Sequence, residues 1–119
     1  MTTRRSNPPF LNGVPELLVL QLLLRQSMHG YELVQAIRTS TGDVFEFGEG
    51  CIYPILHRLE ADELLRGDRV TVGGRNRVVY HITSAGRKQL VKSTAAWEQV
   101  AATIRQVLQG SPSGQPRLA

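Results

Sequence analysis

The feature that most constrains the fold is a change of hydrophobic period after Asp62-Glu63. Before this point apolar residues recur at helical spacing. After it they alternate, in two runs rich in β-branched residues on either side of Gly73-Gly74. Two such runs joined by a glycine pair predict a β-hairpin. A helical pattern returns after Thr83 and continues to about Gln109, so the sequence predicts helices, one hairpin and a long final helix.

Two helices are predicted in the first third of the chain. The first opens at Pro15-Glu16, because proline suits the first helical turn and a carboxylate favours the positive end of the helix dipole. Every residue from Leu17 to Leu24 except Gln21 is apolar, so this helix must be buried on more than one side. In so small a chain, this suggests that a second subunit covers part of it. The second helix follows a turn built on Gly30 and runs from about Tyr31 to Thr39.

A third helix is predicted over Glu49–Glu60, and it is amphipathic. Four aliphatic residues share one side at i, i+3, i+4 and i+7 spacing: Ile52, Ile55, Leu56 and Leu59. Three side chains fall outside this stripe, where they could meet a phosphate or a base edge: Tyr53, His57 and Arg58. Pro54 is tolerable only within the opening turn. The order of helices and turns predicts a helix-turn-helix, although an ordinary amphipathic helix would show the same spacing.

The predicted hairpin carries arginines at or near its tip: Arg69, Arg75 and Arg77. A hairpin directly after a helix-turn-helix has the position of a wing, and a basic tip can lie along a groove or a line of phosphates. The net charge of +4 points in the same direction, and eight of the 14 basic residues lie between Arg58 and Lys92. We interpret the hairpin as a DNA-binding wing, and the alternative is a solvated charged hairpin.

The final helix has a heptad pattern. Leu90, Trp97 and Ile104 are seven residues apart, and Val100 and Val107 follow the last two by three. This is an a/d seam, interrupted at Ser93. A helix of roughly 40 Å is longer than a domain of this size can cover, so the seam predicts a homodimer. The alternative is that the helix packs back along the first helix of its own chain.

The predicted organisation is a flexible N-terminal arm, a single folded domain, the dimerisation helix and a flexible tail, with these bounds: 1–9, 10–82, 83–109 and 110–119. The arm contains Arg4 and Arg5, which could follow a DNA backbone. The only cysteine, Cys51, excludes an internal disulfide framework and fits a reducing cytoplasm. No signal peptide or membrane-spanning run is visible. We therefore expect a soluble cytoplasmic protein.

No residue pattern points to catalysis. The sequence has no nucleophile–base pair at a family spacing, no phosphate loop and no glycine fingerprint, so we expect neither an enzyme nor a cofactor. The soft metal-ligand candidates are scattered, and none is paired at i, i+3 or i+4: His29, Cys51, His57 and His81. We therefore predict no metal site.

Taken together, the chain resembles the PadR family of bacterial transcriptional regulators. Four segments carry the resemblance, in the family's order: Glu16–Leu20, His29–Leu33, Glu49–Glu60 and Tyr80–Gly86. They span nearly all of the predicted folded part. The resemblance implies a winged helix-turn-helix followed by a dimerisation helix, and a function in binding palindromic operator DNA, usually as a repressor. The single C-terminal helix is similar to that of the short PadR subfamily.

The resemblance also implies roles for individual residues. The recognition helix would run from Gly50 to Glu60, with Tyr53-Pro54 as its signature, and Tyr31 would match the family's aromatic residue on the second helix. Arg75 and Arg77 would belong to the wing. Cys51 departs from the family, which usually has a hydroxyl residue there, most often threonine. A thiol donates only weakly, so a phosphate contact at this position is in doubt. A thiol pKa lowered by the helix N-terminus and nearby arginines would instead allow Cys51 to sense oxidation, and the alternative is that the cysteine arose by neutral drift.

The resemblance finally suggests an effector site. Trp97, its dimer mate and first-helix residues such as Leu18 would form a pocket for a flat aromatic compound, although packing alone would also explain a tryptophan on the seam. The function predicted from the sequence is a dimeric repressor, released by a small-molecule or stress signal. The alternatives are a winged-helix protein-interaction module without DNA binding, or a metal-responsive regulator.

Overall fold

The computed structural model describes residues 13–110. Within this range four helices surround a small antiparallel sheet, and the elements follow in this order: α1 (Val14–Arg25), β1 (Met28–His29), α2 (Gly30–Ser40), α3 (Glu49–Ala61), β2 (Leu65–Val72), β3 (Arg75–Ile82) and α4 (Ser84–Gln109). The predicted bounds of the helices agree with these to about one residue. The arm predicted for 1–9 and the predicted tail beyond Gly110 lie outside the described residues.

The sheet has three strands, whereas the sequence predicted only a hairpin. β3 lies in the centre, with β2 on one side and β1 on the other. β2 and β3 pair from Leu65↔Ile82 to Val72↔Arg75, and the loop between them is Gly73-Gly74, both with positive φ, as a two-residue hairpin turn requires. β1 pairs through Met28↔Tyr80 and His29↔Val79. Two residues are too few to show an alternating pattern, which is why β1 was not predicted.

The core lies between α1, α2, α3 and the inner side of the sheet. Its fully buried side chains come from all three helices: Val19, Leu20, Leu33, Ile37, Ile52 and Leu56. All four predicted apolar residues of α3 are buried. The Thr41–Gly48 connection adds Phe47, which is buried, and Phe45, which packs against the core. Burying α3 along one side fixes its other side towards solvent.

The position of Pro54 was predicted wrongly. It is the sixth residue of α3 and not part of the opening turn. Because proline has no N–H, the carbonyl of Gly50 loses its helical hydrogen bond. Gly50 and Pro54 are both exposed, so water can satisfy this carbonyl, and the helix continues through the proline.

Side-chain caps fix the starts of α2 and α4. His29 Nδ1 accepts a hydrogen bond from the Glu32 N–H at 3.3 Å, while the Glu32 carboxylate accepts one from the His29 N–H at 3.0 Å. This is a capping box with histidine in place of serine or threonine. Thr83 caps α4 as predicted: its hydroxyl accepts from the Gly86 N–H at 3.0 Å and donates to the Glu63 carbonyl at 2.8 Å.

Replacing Thr83 with alanine should lower the free energy of unfolding by about 1–2 kcal/mol, because it removes a helix cap and a tie to the turn after α3. Urea unfolding followed by far-ultraviolet circular dichroism measures the change. Thr103→Ala is the matched control, since Thr103 is exposed and its hydroxyl bonds only the Gln99 carbonyl one turn earlier in α4. Equal stability of the two variants would contradict a capping role for Thr83.

A candidate nucleic-acid interface on α3 and the hairpin

The solvent side of α3 is narrow and carries small residues. Because successive helical residues are about 100° apart, the side opposite the buried stripe contains four exposed residues: Gly50, Pro54, His57 and Ala61. We call these four residues the outer face. A Cβ added at Gly50 would meet no atom within 4 Å. The backbone at the start of α3 is therefore open to close approach by a large partner.

His57 is the one outer-face residue whose side chain can form hydrogen bonds. Its ring lies beside that of Tyr53, with the centroids 6.4 Å apart and the planes tilted by 42°. An imidazole can donate to or accept from the edge of a base, whereas Gly50, Pro54 and Ala61 offer only contact area. His57 is therefore the candidate for reading a base from this face.

Tyr53 lies on the flank of α3 that faces α2, and it is half-buried rather than free. Its ring occupies the space beside Gly30: a Cβ built on Gly30 would be 2.4 Å from Tyr53 Cε1 and 2.8 Å from the hydroxyl oxygen. Only glycine leaves room for the tyrosine at this crossing. The structure thus gives Tyr53 a packing role between α2 and α3, in addition to the DNA contact predicted for it.

The opposite flank of α3 faces α1, and it holds Cys51 and Arg58. Arg58 Nη2 donates to the Glu16 carboxylate in the first turn of α1. The sequence predicted a DNA contact for Arg58 but not this ion pair. The side chain nevertheless stays 52% exposed while Glu16 is 31% exposed, so the ion pair leaves much of the guanidinium open to solvent.

The expectation that the Cys51 pKa is lowered was wrong. Partial burial raises the pKa of the thiol, and the negative charge of Glu16 raises it further. The thiolate is the reactive form of cysteine. The basis for a redox sensor at this position is therefore lost, although Cys51 is exposed.

The hairpin presents basic side chains without acidic partners near its tip. None of the ion pairs between residues 13–110 includes Arg69, Arg75 or Arg77. Arg69 and Arg75 are exposed, and Arg77 is partly exposed. Within the described residues, the tip therefore keeps three positive charges without an ion-pair partner. The sequence predicted arginines at this tip but not the absence of partners.

The base of the hairpin is by contrast a neutralised network. Asp68 binds Arg66 at 3.2 Å and His81 Nε2 at 3.0 Å, while His81 Nδ1 shares a 2.7 Å hydrogen bond with Ser27. The hydrogen bond from Arg66, with the nearby charges of Arg66 and His81, lowers the Asp68 pKa. The positive potential of the hairpin thus rises from base to tip.

Tyr31 lies at the start of α2, where its side chain is 49% exposed. The preceding residue, Gly30, contacts Tyr53, and His29 before it pairs with β3. Tyr31 therefore stands where α2, α3 and the sheet meet. Its exposure leaves it accessible to a partner, as its predicted DNA contact requires.

The predicted dimer seam divides into a buried and an exposed part. Leu90 is 4% exposed and belongs to the core of its own chain, so its assignment to a dimer interface was wrong; the α4 segment around it packs on α1 and β3. The other four seam residues are exposed: Trp97, Val100, Ile104 and Val107. Leu18 is partly buried and packs against the core.

An open groove of about 400 Å³ runs along α4 beside the exposed seam. It is lined by Ala96, Gln99, Val100, Thr103 and Ile104. Trp97 and Leu18, the residues suggested for an effector pocket, are not part of its lining. Trp97 is exposed on α4, whereas Leu18 is partly buried against the core.

Several features of this surface were not predicted from the sequence. Glu16 was noted only as a helix-start residue, and its contact with Arg58 joins residues 42 positions apart. The His29-x-x-Glu32 spacing was a usable signal for the cap, because it matches a capping box except for the histidine. Gly30 was taken only as a turn former, although its lack of a side chain also admits Tyr53.

The described part of the chain has no helix of the length and hydrophobicity needed to span a membrane. Within the same residues, no three histidine, cysteine, aspartate or glutamate side chains are placed to share a metal ion.

Comparison with known proteins matches residues 19–92 to a family described as the transcriptional regulator PadR-like family. A transcriptional regulator from Mycobacterium tuberculosis is 37% identical over 101 residues, which cover 85% of this chain and 89% of that protein. A PadR-like transcriptional regulator from Bacillus cereus has a similar structure, with a TM-score of 0.75 and 31% identity over 87% of this chain and all of that chain. A regulator from Escherichia coli is 30% identical over 81% of this chain but only 45% of its own length.

Proposed function

Because the chain belongs to the PadR-like family of transcriptional regulators, we propose that it is a dimeric, sequence-specific DNA-binding repressor. Regulators of this family bind DNA, typically as dimers, and are not enzymes. In our proposal the outer face of α3 enters the major groove, and the β2–β3 hairpin is a wing that lies along the backbone or an adjacent groove.

The observation that carries the proposal is the pairing of two different surfaces. The outer face of α3 is nearly free of bulky side chains and begins at an exposed glycine, which permits close approach to the floor of a groove. The wing beside it has three arginines, Arg69, Arg75 and Arg77, without ion-pair partners among residues 13–110. Phosphate contacts from such arginines supply affinity and register, while groove contacts supply sequence preference.

On the outer face we assign base reading to His57, with Gly50 and Pro54 close to the DNA surface. Cys51 would lie close to the DNA from the adjoining α1 flank. Tyr53 would fix the orientation of His57 through their ring contact, and Tyr31 would contact the backbone near the start of α2. The assignment of base reading to one side chain implies limited direct readout. The remaining sequence preference would come from the shape and deformability of the duplex.

We further propose that two chains associate through α4. Trp97, Val100, Ile104 and Val107 form an exposed apolar stripe on α4. α1 also leaves apolar surface uncovered, with Leu24 at 43% exposure and Leu17 and Leu18 only partly buried. Covering these surfaces with a second copy removes them from water. A two-fold dimer presents two α3 helices, which matches a palindromic operator.

The repressor would respond to a small-molecule or stress signal in the cytoplasm. An aromatic effector between the subunits would contact Trp97 and Leu18, and would act by changing the separation of the two α3 helices through α4. The test of this mechanism is a ligand that weakens operator binding. If the dimer geometry measured by small-angle scattering stayed the same on ligand addition, the mechanism would be wrong.

One observation favours a second candidate function, a protein-interaction module. Three of the four outer-face residues are glycine, proline and alanine, which offer contact area without hydrogen bonds, and Cys51 replaces the hydroxyl residue usual in the family. Such a surface also suits docking against a protein. The arginine-rich wing has no role in that alternative, which is why we prefer DNA.

The deciding experiment is a DNA titration with two kinds of labelled duplex: the region upstream of the chain's own gene, and duplexes selected by the protein from a randomised pool. The proposal expects binding that survives unlabelled competitor and weakens as salt increases. Failure to select any duplex, together with no binding even at low salt, would overturn the DNA-binding function and leave the interaction module.

The wing makes a specific prediction. Replacing Arg75 and Arg77 together with glutamine should weaken binding of the selected duplex by about ten- to a hundredfold. It should also lower the magnitude of the slope of log K against log salt by about 1.8, since two phosphate contacts are lost. Arg25→Gln with Lys92→Gln removes the same charge from exposed positions outside α3 and the wing. Similar slopes for both double variants would show that only net charge matters.

A further inference from the structure

We propose that Glu16 is a positioning residue for DNA binding: its carboxylate holds the Arg58 guanidinium beside α3 so that the remaining N–H groups can bind a phosphate of the duplex. The inference rests on the proposed DNA-binding function and deepens it. Glu16 is an acidic residue on α1, so a contribution to DNA affinity is not expected from its charge.

The first support is the place of the ion pair. Arg58 lies on the α1 flank of α3, next to the outer face and on the same side as Cys51, two turns earlier. When an α-helix lies in the major groove, the phosphate backbones run along its flanks. A guanidinium on this flank is therefore placed for a phosphate and not for a base edge.

The second support is the number of hydrogen bonds that the Arg58 guanidinium can donate. An arginine has five N–H donors arranged in a rigid fork. Among residues 13–110, the Arg58 guanidinium donates through one terminal nitrogen to Glu16 and makes no other hydrogen bond. With half of its side chain exposed, the other donors face solvent. One carboxylate and one phosphate can thus be bound at the same time.

The third support is the rigidity of the anchor. Glu16 is in the first turn of α1, between the buried Pro15 and the partly buried Leu17, and Val19 and Leu20 one turn later are buried as well. Its carboxylate also raises the pKa of the Cys51 thiol. The negative charge of Glu16 therefore acts on α3 both at Cys51 and, two turns later, at Arg58. A fixed carboxylate can hold a long flexible side chain in place before DNA binds, which reduces the entropy lost on binding.

Two opposing explanations predict opposite changes in DNA affinity when the charge of Glu16 is removed. If Glu16 acts only as a negative charge near the duplex, or only withholds Arg58 from it, its removal tightens binding. If Glu16 positions Arg58, its removal weakens binding, even though the protein becomes more positive. The sign of the effect therefore separates positioning from simple electrostatics.

The experiment measures binding of the selected labelled duplex by wild type, Glu16→Gln, Arg58→Gln and the double variant over a range of salt concentrations. We expect Glu16→Gln to bind about five- to tenfold more weakly, with the magnitude of the salt slope reduced by about 0.9, since one phosphate contact is lost. In the Arg58→Gln background, Glu16→Gln should cause no further loss. Glu98→Gln removes the same charge from an exposed position on α4 and should leave the slope unchanged.

Arg58→Lys is the second variant, for the case that Glu16→Gln does not fold. Lysine keeps the charge but cannot reach carboxylate and phosphate with a planar fork, so we expect it to show the same reduced slope. Binding by Glu16→Gln that is unchanged or tighter, or wild-type binding by Arg58→Lys, would overturn the positioning role. If wild type itself selects no duplex, the proposed function fails; if wild type binds and the variants match it, only the role of Glu16 fails.

Discussion

Replacing Gly86 with alanine is expected to destabilise the protein by about 3 kcal/mol or more, a large part of the stability of a domain of this size. Gly86 is buried in the first turns of α4. A Cβ at this position would lie 2.2 Å from the carbonyl oxygen of Leu64 and 2.7 Å from Ile82 Cγ1. The first of these atoms belongs to the backbone, which cannot move aside as a side chain can.

The Leu64 carbonyl is fixed by its other contacts. It accepts a hydrogen bond from the Thr83 N–H at 3.1 Å, and the Thr83 hydroxyl binds the neighbouring Glu63 carbonyl. Moving α4 outwards to admit a methyl group would break both bonds and separate Leu90 from the core. We therefore expect a loss of stability well beyond that of an ordinary helix substitution.

Urea unfolding followed by circular dichroism, at matched protein concentration, measures the effect of Gly86→Ala. Gly50→Ala is a matched control because Gly50 also lies in a helix, but no atom is within 4 Å of its added Cβ. We expect the control to be neutral or to gain up to about 1 kcal/mol from helix propensity. If Gly86→Ala were as stable as the control, the close contact between α4 and Leu64 would be refuted.

The second large effect concerns the exposed part of α4. If two chains associate through α4 as we propose, replacing Val100 and Ile104 together with aspartate should convert the dimer to a monomer, because two charges would be buried in an apolar interface without partners. Both residues are about half exposed in a single chain, at 48% and 52%. The monomer should therefore remain folded. The substitutions should therefore abolish association without destabilising the core.

Operator binding should fall by more than about a hundredfold in this variant, since each half-site would be bound without the linked second half-site. Sedimentation equilibrium measures the association, and titration of the selected duplex measures the binding. Ala102→Asp with Gln106→Asp introduces the same two charges at the same spacing on the opposite, exposed side of α4. A Val100/Ile104 variant that sediments as a dimer would rule out the seam as the interface.

Much of this fold could be predicted because it depends on patterns among residues that are close in the sequence. The buried side of α3, the Gly73-Gly74 turn and the Thr83 cap each depend on residues within a few positions of one another, and the structure confirms all three. The prediction that α3 continues only if Pro54 is in its first turn failed, because exposure lets water replace the missing hydrogen bond. That condition depends on the tertiary structure.

The candidate site was less predictable, because its character depends on what packs beside α3. Helical spacing places Tyr53, His57 and Arg58 outside the buried stripe, but it does not tell which helix packs beside each flank of α3. Only the packing of α1 and α2 shows that Arg58 meets Glu16 and that Tyr53 meets Gly30, while His57 remains on the outer face. The heptad pattern likewise included Leu90, since a repeat identifies an apolar side without identifying its partner.

The contact between Gly30 and Tyr53 has a consequence for how this surface can change over generations. A side chain at position 30 collides with the tyrosine ring, whereas a smaller residue at position 53 would leave a void beside the glycine. Each single replacement thus passes through a poorly packed intermediate, and only the joint replacement restores contact. Outer-face positions such as 57 and 61 carry no such constraint. If the outer face reads DNA as we propose, lineages of this regulator should vary their DNA targets at that face while inheriting positions 30 and 53 as a pair.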